Sequence, residues 1–239
     1  MMHLQLKSYP QTSRTISYGL ISIMPLLLIY EGIIAYLDRL SLLHTRNTAE
    51  IFLKHVVQTL GVDGRFFLLV VLGAIAMALF LRDKKKTVFD FRYFFLIFIE
   101  ALFYATFLGM IFGRLTEYVL LSTANSSNQL WEGIALAIGA GVYEELLFRA
   151  LIFHLTAYTL VRFLHTGTVP GYLISALFSA LAFSWFHYIG GQPFELYSAV
   201  YRFFVGLFLC LLYLLRGLGV TAWTHSLYNC LIVIQRILF

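Results

Sequence analysis

The chain has 239 residues, of which 60% are hydrophobic and only 12% are charged, and its mean hydropathy is +0.83. Soluble domains carry about 25% charged residues, so this composition excludes an ordinary soluble globular protein. The net charge of +5 does not indicate a nucleic-acid partner, because the basic residues lie at the ends of apolar runs, as membrane orientation signals do. Cys210 and Cys230 are too few for a disulfide framework.

The apolar runs predict about seven membrane spans, because a helix needs about 20 mainly apolar residues to cross the hydrocarbon. The segment 38–62 is more mixed and predicts a loop with a short interfacial amphipathic helix. We therefore predict an all-α, polytopic transmembrane bundle that forms a single membrane domain over 1–239. Eight spans are the alternative count, and we expect the functional site to lie inside the bundle. The predicted spans are 16–37, 65–81, 92–121, 131–162, 170–188, 194–215 and 219–238.

Basic residues in the loops predict the orientation of the bundle. The loop 82–92 carries the strongest charge run, Arg82-Asp83-Lys84-Lys85-Lys86, and is therefore placed in the cytoplasm. Seven spans then place the N-terminus in the cytoplasm too. The first apolar run is followed by no signal-peptide cleavage site, so we expect it to be a retained span.

The fourth predicted span contains three charged residues within six positions, Glu144, Glu145 and Arg149. Each ionised group at the centre of a membrane helix costs at least about 2.5–3.5 kcal/mol. Glu145 and Arg149 are four apart, so they share a helix face and can pair. Glu144 lies about 100° round the helix and has no local partner. It is therefore a candidate general base, and an ion pair that only locks helix packing is the alternative.

Two further polar pairs lie on later predicted spans. Phe183 and His187 are four apart, and so are His225 and Asn229. A lone histidine near an interface can be an aromatic belt residue, and a His–Asn pair can be an interhelical clamp. A histidine and an asparagine side by side can also donate hydrogen bonds to one developing oxyanion. Because each polar group in lipid needs polar partners, we expect the three sets to converge.

In this order, Glu-Glu-x-x-x-Arg at 144–149, Phe-x-x-x-His at 183–187 and His-x-x-x-Asn at 225–229 resemble the CPBP family. These proteins are the CAAX-processing and bacteriocin-processing intramembrane endopeptidases, also called the Abi family. The resemblance covers 131–238, which would be the catalytic core. It implies an intramembrane endopeptidase in which particular residues have particular roles. Glu144 and His187 would activate water, His225 and Asn229 would stabilise the oxyanion, and Glu145 and Arg149 would support the site.

The resemblance leaves the cofactor open. Members of the family have been classed as metallopeptidases, and a catalytic zinc needs three protein ligands and an open position. Glu144, His187 and His225 could supply those ligands. A glutamate-dependent mechanism requires no metal, and we favour it as the expectation.

The expected partners are membrane lipid and a protein or peptide substrate, and the expected location is a prokaryotic cytoplasmic membrane. The sequence does not identify the substrate, show whether it is prenylated, or give the oligomeric state. The alternative function is a non-catalytic transporter, or an immunity or scaffold protein that uses the same polar cluster for binding. Transporters often show inverted repeats, and the sequence shows none.

The expected depths of His187 and His225 in the membrane conflict with the expectation that the three polar sets converge. In the seven-span arrangement, His187 lies late in its helix, whereas His225 lies early in a helix that runs in the same direction. With a rise of 1.5 Å per residue, ideal full-length helices would place the two imidazoles at different depths.

Overall fold

The computed structural model describes residues 8–40, 46–59, 61, 67–83, 90–120, 129–189 and 193–238. All regular structure in these residues is helical, as the composition predicted. In chain order the helices are α1 (Tyr9–Ser13), α2 (Ile16–Arg39), α3 (Thr48–Thr59), α4 (Phe67–Asp83), α5 (Arg92–Leu120), α6 (Gln129–Gly139), the π-helix π1 (Ala140–Phe153), α7 (His154–Tyr158), the π-helix π2 (Thr159–Phe163), α8 (Thr168–Ile189), α9 (Leu196–Arg216) and α10 (Leu218–Leu238).

Four helices in the described part of the chain are long and apolar enough to cross a membrane. The predicted second span corresponds to a shorter apolar helix, Leu69–Arg82. The predicted fourth and seventh spans are not among the four, and both carry polar motif residues. The helical fold is therefore confirmed, whereas the count of seven spans stays a prediction. The four are Ile16–Arg39, Arg92–Phe112, Thr168–Ile189 and Leu196–Arg216.

The predicted fourth span, 131–162, is not one α-helix. The backbone passes from α6 into π1, then α7 and π2, without an intervening loop. In a π-helix each N–H bonds to the carbonyl five residues back, which is rare and frequently found at functional sites. The spacing argument assumed α-helical geometry, so the positions of the motif side chains round this helix must be taken from the structure.

The last helix, α10, lies at the centre of the bundle. It packs against α2, α5, α6, α9 and π1, while π1 also contacts α8 and α3. The main buried cluster includes Tyr30, Tyr143, Phe148 and Leu218. The motif helix therefore lies between α8 and α10, which are the helices that carry the two motif histidines.

Small residues allow α10 to approach its neighbours closely. A Cβ at Gly141 on π1 would overlap the hydroxyl and backbone of Ser226 on α10, and one at Gly219 would overlap Ser22 on α2. Without a hydrophobic driving force between helices in lipid, such close backbone contact is a main source of association. These glycines therefore fix the distance from π1 and α2 to α10.

A single residue, Gly217, joins α9 to α10. Its φ is +83°, a left-handed conformation that favours glycine. Its N–H donates to Tyr213 O at 2.8 Å, which ends α9 in a common glycine cap. Because no longer loop intervenes, α10 turns back along α9 at once.

Several polar groups gather at the end of the bundle where α2 begins. The Tyr18 hydroxyl donates to Asp90 O at 2.7 Å, and Arg14 donates to Leu214 O at 3.0 Å. The N-terminal helices, the start of α5 and the end of α9 therefore share one end, as the predicted topology requires. Which side of the membrane this end faces stays a prediction.

The predicted short helix in segment 38–62 is present as α3. However, α3 is more than a surface helix, because it packs against π1 and its Glu50 side chain is fully buried. The part of the predicted loop at 41–45 lies outside the described residues.

Candidate active site

Successive residues of π1 reach different helices. The Tyr143 hydroxyl donates to Glu31 on α2 at 3.2 Å. Glu144 accepts a hydrogen bond from Asn47, the residue before α3, and Glu145 accepts one from His225 on α10. Adjacent side chains on a helix diverge widely, so consecutive residues can address different neighbours. The motif helix thus connects three other parts of the bundle through three consecutive side chains.

Glu145 and Arg149 form the pair that their spacing predicted. Arg149 Nη1 lies 2.8 Å from Glu145 Oε1, and both side chains are fully buried. Arg149 Nη2 donates to Gly206 O on α9 at 3.0 Å, and the guanidinium lies 4.7 Å from the centre of the Phe183 ring. Arg149 therefore joins π1 to α8 and α9 while it compensates the charge of Glu145.

His225 binds the same carboxylate oxygen. Its Nδ1 lies 2.7 Å from Glu145 Oε1. Because that oxygen already accepts from Arg149, Glu145 acts as an ionised acceptor and His225 donates from Nδ1. The other ring nitrogen, Nε2, lies on the opposite side of the imidazole and is left for the site. The sequence did not predict this contact, since the two residues are on separate helices.

Phe183 lies between the two motif histidines. Its ring centre lies 5.2 Å from that of His187 and 5.8 Å from that of His225, with edge-to-face geometry in both pairs. Both motif histidines therefore contact one ring, as convergence requires. The depths expected for ideal full-length helices measured each histidine from the end of its own helix, whereas the packing of α8 and α10 on either side of π1 sets which residues meet.

His187 is oriented by its own helix. Its Nδ1 lies 3.0 Å from Phe183 O, so a proton on Nδ1 can be donated to that carbonyl. In that tautomer Nε2 carries a lone pair and can accept a proton. The imidazole also interacts electrostatically with Glu144, Arg202 and His225. The structure thus brings His187 into the same electrostatic neighbourhood as the first motif glutamate.

Asn229 lies one turn beyond His225 on α10 and is partly exposed. No described residue forms a hydrogen bond with its amide group. The structure therefore keeps His225 and Asn229 on neighbouring turns, as the spacing predicted, and only His225 is held by another side chain.

Glu144 is nearly buried, with 6% of its surface exposed. Its Oε1 accepts from Asn47 Nδ2 at 2.9 Å. Its Oε2 is buried and has no hydrogen-bond partner among the described residues. A buried carboxylate oxygen without a partner is costly and calls for a functional explanation.

Asn47 is the site residue that the sequence analysis missed. It lies far from the three motifs, inside a segment predicted to be a loop and a surface helix. One signal was present, because Asn47 followed three positions later by Glu50 is typical of a helix N-terminus. That pattern predicts the start of α3 but cannot predict contact with a residue 97 positions away.

The proposed zinc ligands do not form a metal site in this structure. Among the described residues, no three His, Cys, Asp or Glu side chains are grouped closely enough to hold a metal ion. As placed here, Glu144, His187 and His225 are not grouped as a three-ligand site. The expectation that the protein requires no metal stays a prediction.

The fold and the site together define an integral membrane protein with a buried glutamate–histidine cluster. Residues 126–231 match the family model described as type II CAAX prenyl endopeptidase, Rce1-like. This match confirms, for that segment, the CPBP resemblance of the three motifs, all of which lie inside it. No curated protein and no solved structure matched the chain. The proposed domain limits, 1–239 and 131–238, stay predictions.

Proposed function

We propose that the chain is a glutamate-dependent intramembrane endopeptidase, which cuts a membrane-associated protein or peptide. The observation that carries the proposal is the buried Glu144 carboxylate, which has one oxygen held by Asn47 and the other without a described partner. His187 interacts electrostatically with Glu144, and His225 bonds to the adjacent Glu145. A base, an oxyanion donor and a proton donor are what amide hydrolysis needs.

In the proposed reaction, Glu144 Oε2 and His187 Nε2 together orient a water molecule and accept one of its protons. The water oxygen bonds to the peptide carbonyl carbon, and the carbonyl oxygen becomes an oxyanion. The proton then passes to the amide nitrogen as the carbon–nitrogen bond breaks. The products are a carboxylic acid, which keeps the second water proton, and an amine. The hydrogen bond from His187 to Phe183 O supports this role, because it leaves Nε2 as the accepting nitrogen.

His225 and Asn229 would stabilise the oxyanion. In the imidazolium form both ring nitrogens are donors, so Nε2 can donate to the oxyanion while Nδ1 stays bonded to Glu145. Glu145 and Arg149 would hold His225 in this orientation without touching the substrate. Removal of one oxyanion donor typically costs about 10²–10³ in kcat.

The proposal requires no metal or other cofactor. The partners would be lipid and a protein or peptide substrate. A prenylated cysteine near the scissile bond is one substrate class, suggested by the description of the matching family. We propose a prokaryotic cytoplasmic membrane as the location, with the N-terminus in the cytoplasm.

The test uses the purified full-length chain in lipid nanodiscs. The substrate is a quenched fluorescent peptide library in two matched halves, with and without a prenylated cysteine. We expect Glu144→Ala and His225→Ala to lower kcat by at least about 10²-fold. Full cleavage by both folded variants would reject the mechanism, and the two library halves would identify the substrate class.

His154→Ala is the matched control for His225→Ala. His154 begins α7, directly after π1, and its Nε2 lies 2.7 Å from the Tyr213 hydroxyl. It is a histidine on the continuation of the motif helix that contacts none of the site residues named above. We expect this variant to retain wild-type kcat.

The described residues provide no observation that favours the transporter, immunity or scaffold alternative. Ion-coupled uptake in proteoliposomes that disappears in Glu144→Gln would support it over proteolysis. If the wild type shows no ion-coupled uptake, the endopeptidase proposal remains the better account.

A further inference from the structure

Asn47 lies outside the matched segment, yet its side chain joins α3 to the motif helix. Its Oδ1 accepts from the backbone N–H groups of Ala49 and Glu50, at 2.9 and 3.2 Å. Its Nδ2 donates to Glu144 Oε1 at 2.9 Å. The oxygen and the nitrogen of the amide therefore have separate tasks. One caps the first turn of α3, where helix N–H groups lack intrahelical partners, and the other holds Glu144.

Ionic and hydrogen-bonding contacts fix α3 itself. Glu50 accepts from the Tyr30 hydroxyl on α2, from Arg46 at 3.1 Å and from Lys54 at 2.5 Å. Lys54 also lies 3.6 Å from Glu31 on α2. Glu50 is fully buried, and a buried charge with several partners resists displacement. The first two turns of α3 are thus anchored to α2.

An aromatic contact secures the opposite side of α3. The ring centres of Phe52 and Phe186 on α8 are 5.9 Å apart in an edge-to-face arrangement. Phe186 in turn packs against Phe148 on π1 at 5.4 Å. The helix therefore spans from α2 to α8 over the end of the site, and Asn47 is held in place by contacts on both sides.

We infer that Asn47 is a positioning residue, which holds Glu144 Oε1 so that Oε2 faces the peptide, and thereby couples the docking of α3 to the orientation of the catalytic carboxylate. This inference rests on the proposed function. Without the amide, the Glu144 side chain could rotate, and a displacement of about 1 Å can cost about 10²-fold in rate. The competing explanation is that Asn47 only caps α3.

Asn47→Ser separates the two explanations. Serine is as good an N-cap as asparagine, so α3 keeps its first turn. Its hydroxyl is too short to replace the amide donor to Glu144, and it adds no charge. A role confined to capping predicts wild-type activity, whereas the positioning role predicts a loss of kcat in a folded protein. Asn47→Asp provides a second variant, which also caps α3 but places a like charge beside Glu144, so we expect it to lower both kcat and the thermal midpoint.

Thr15→Ala is the matched control for a lost cap. Thr15 precedes α2, and its hydroxyl oxygen accepts from Tyr18 N at 3.3 Å, far from the site. We expect Thr15→Ala to lower the thermal midpoint and to leave kcat unchanged. For Asn47→Ser we expect a slightly lower thermal midpoint, a KM within about twofold of the wild-type value and a kcat about 10- to 100-fold lower. Wild-type kcat in Asn47→Ser would overturn the inference.

A second measurement does not depend on peptide cleavage. Coupling between two groups is reciprocal, so removal of the Glu144 carboxylate should loosen α3. We expect faster amide hydrogen exchange at 48–52 in Glu144→Ala than in the wild type, and unchanged exchange in His154→Ala. Unchanged exchange at 48–52 in Glu144→Ala would reject the coupling, even if the wild type cuts peptides. Absence of Glu144-dependent cleavage in the wild type would instead reject the proposed function.

Discussion

Two carboxylate–arginine groups, one fully buried and one partly buried, lie in different parts of the bundle and differ in how fully they are bonded. In the α1 cluster, formed by Tyr9, Ser13, Glu100 and Arg216, both Glu100 oxygens have partners. Glu100 Oε1 accepts from Arg216 Nε, and Oε2 accepts from Tyr9 at 2.5 Å and from Arg216 Nη2 at 2.7 Å. Arg216 Nη2 also donates to the Ser13 hydroxyl oxygen at 3.2 Å.

The candidate active site shares the charge types of the α1 cluster but has polar atoms without hydrogen-bond partners. In the described part of the chain, Glu144 Oε2, Glu145 Oε2 and Arg149 Nε are buried without a hydrogen-bond partner. An unpaired buried polar atom costs about 1–3 kcal/mol, so a cluster built only for stability would not retain three. Under the proposed function, the free Glu144 oxygen would serve the reaction, whereas the α1 cluster would only hold helices together.

The strongest test of this contrast makes the same substitution in both clusters. Glu144→Gln keeps an oxygen for Asn47 but removes the base, so we expect kcat to fall by about 10²–10⁴-fold with little change in thermal midpoint. Glu100→Gln removes the charge that faces Arg216, so we expect a loss of roughly 1–3 kcal/mol in stability with kcat retained. Peptide cleavage and thermal unfolding in nanodiscs measure both.

The reverse result would break the comparison. If Glu144→Gln mainly lowered the thermal midpoint while Glu100→Gln mainly lowered kcat, unused bonding capacity would not distinguish a catalytic from a structural carboxylate in this chain.

The next largest expected effect is a loss of stability when the close contact between π1 and α10 is overpacked. Gly141→Ala would place a methyl group against Ser226 on α10, and overpacking of this kind costs about 1–3 kcal/mol or more. Gly109→Ala on α5 is the matched control, since outside its own helix backbone no atom of the described residues lies within 4 Å of the added Cβ. There we expect a neutral or slightly stabilising change, because alanine is the better helix former.

Thermal unfolding of the two variants decides this prediction. Equal midpoints for Gly141→Ala and Gly109→Ala would show that the approach of π1 to α10 is not tight. The site would then depend on its hydrogen bonds alone for its geometry.

The smallest effect concerns Asp90, whose backbone contacts Tyr18 near the α1 cluster. Hydrogen bonds from the Arg92 side chain and backbone N–H lower the pKa of Asp90 below its ordinary value. Because the pKa is lower in the folded state, the contribution to stability is present above the unfolded value of about 3.9 and is lost as pH falls through the folded value.

Asp90→Asn should therefore lower the thermal midpoint slightly at pH 7, and the difference from the wild type should shrink as the solution is acidified. Its partner Arg92 is largely exposed, so solvent screens the interaction and the effect is expected to be small. A difference between the two proteins that grew on acidification would contradict the sign of this prediction.

Contacts within one helix could be predicted from the sequence, and contacts between helices could not. The spacing of Glu145 and Arg149 predicted their ion pair, and the structure confirms it at 2.8 Å. The bond from His225 to Glu145 joins residues 80 positions apart, and Phe183 separates two histidines on different helices. Those contacts depend on how α8 and α10 pack against π1, which local patterns do not encode.

The prediction of membrane spans was least successful for the helices that carry the motif residues. The helices that carry the charged motif and the His–Asn pair are not among the four clear candidates for spans. The motif segment is divided among α6, π1, α7 and π2, each shorter than a span, whereas polar residues such as His225 and Asn229 lower the apolar character of α10. The all-α fold was therefore predictable, while the number of spans and the π-helical winding of the motif were not.

The one-residue junction at Gly217 has a consequence for sequence variation. Because α10 begins directly after it, the eight positions from Gly217 to His225 fix the height and the direction of the His225 side chain on α10. One inserted residue would turn His225 by about 100° and raise it by about 1.5 Å, away from Glu145. Length changes that surface loops usually tolerate should therefore be selected against here, so that homologues would vary in side chains along this stretch but keep its length.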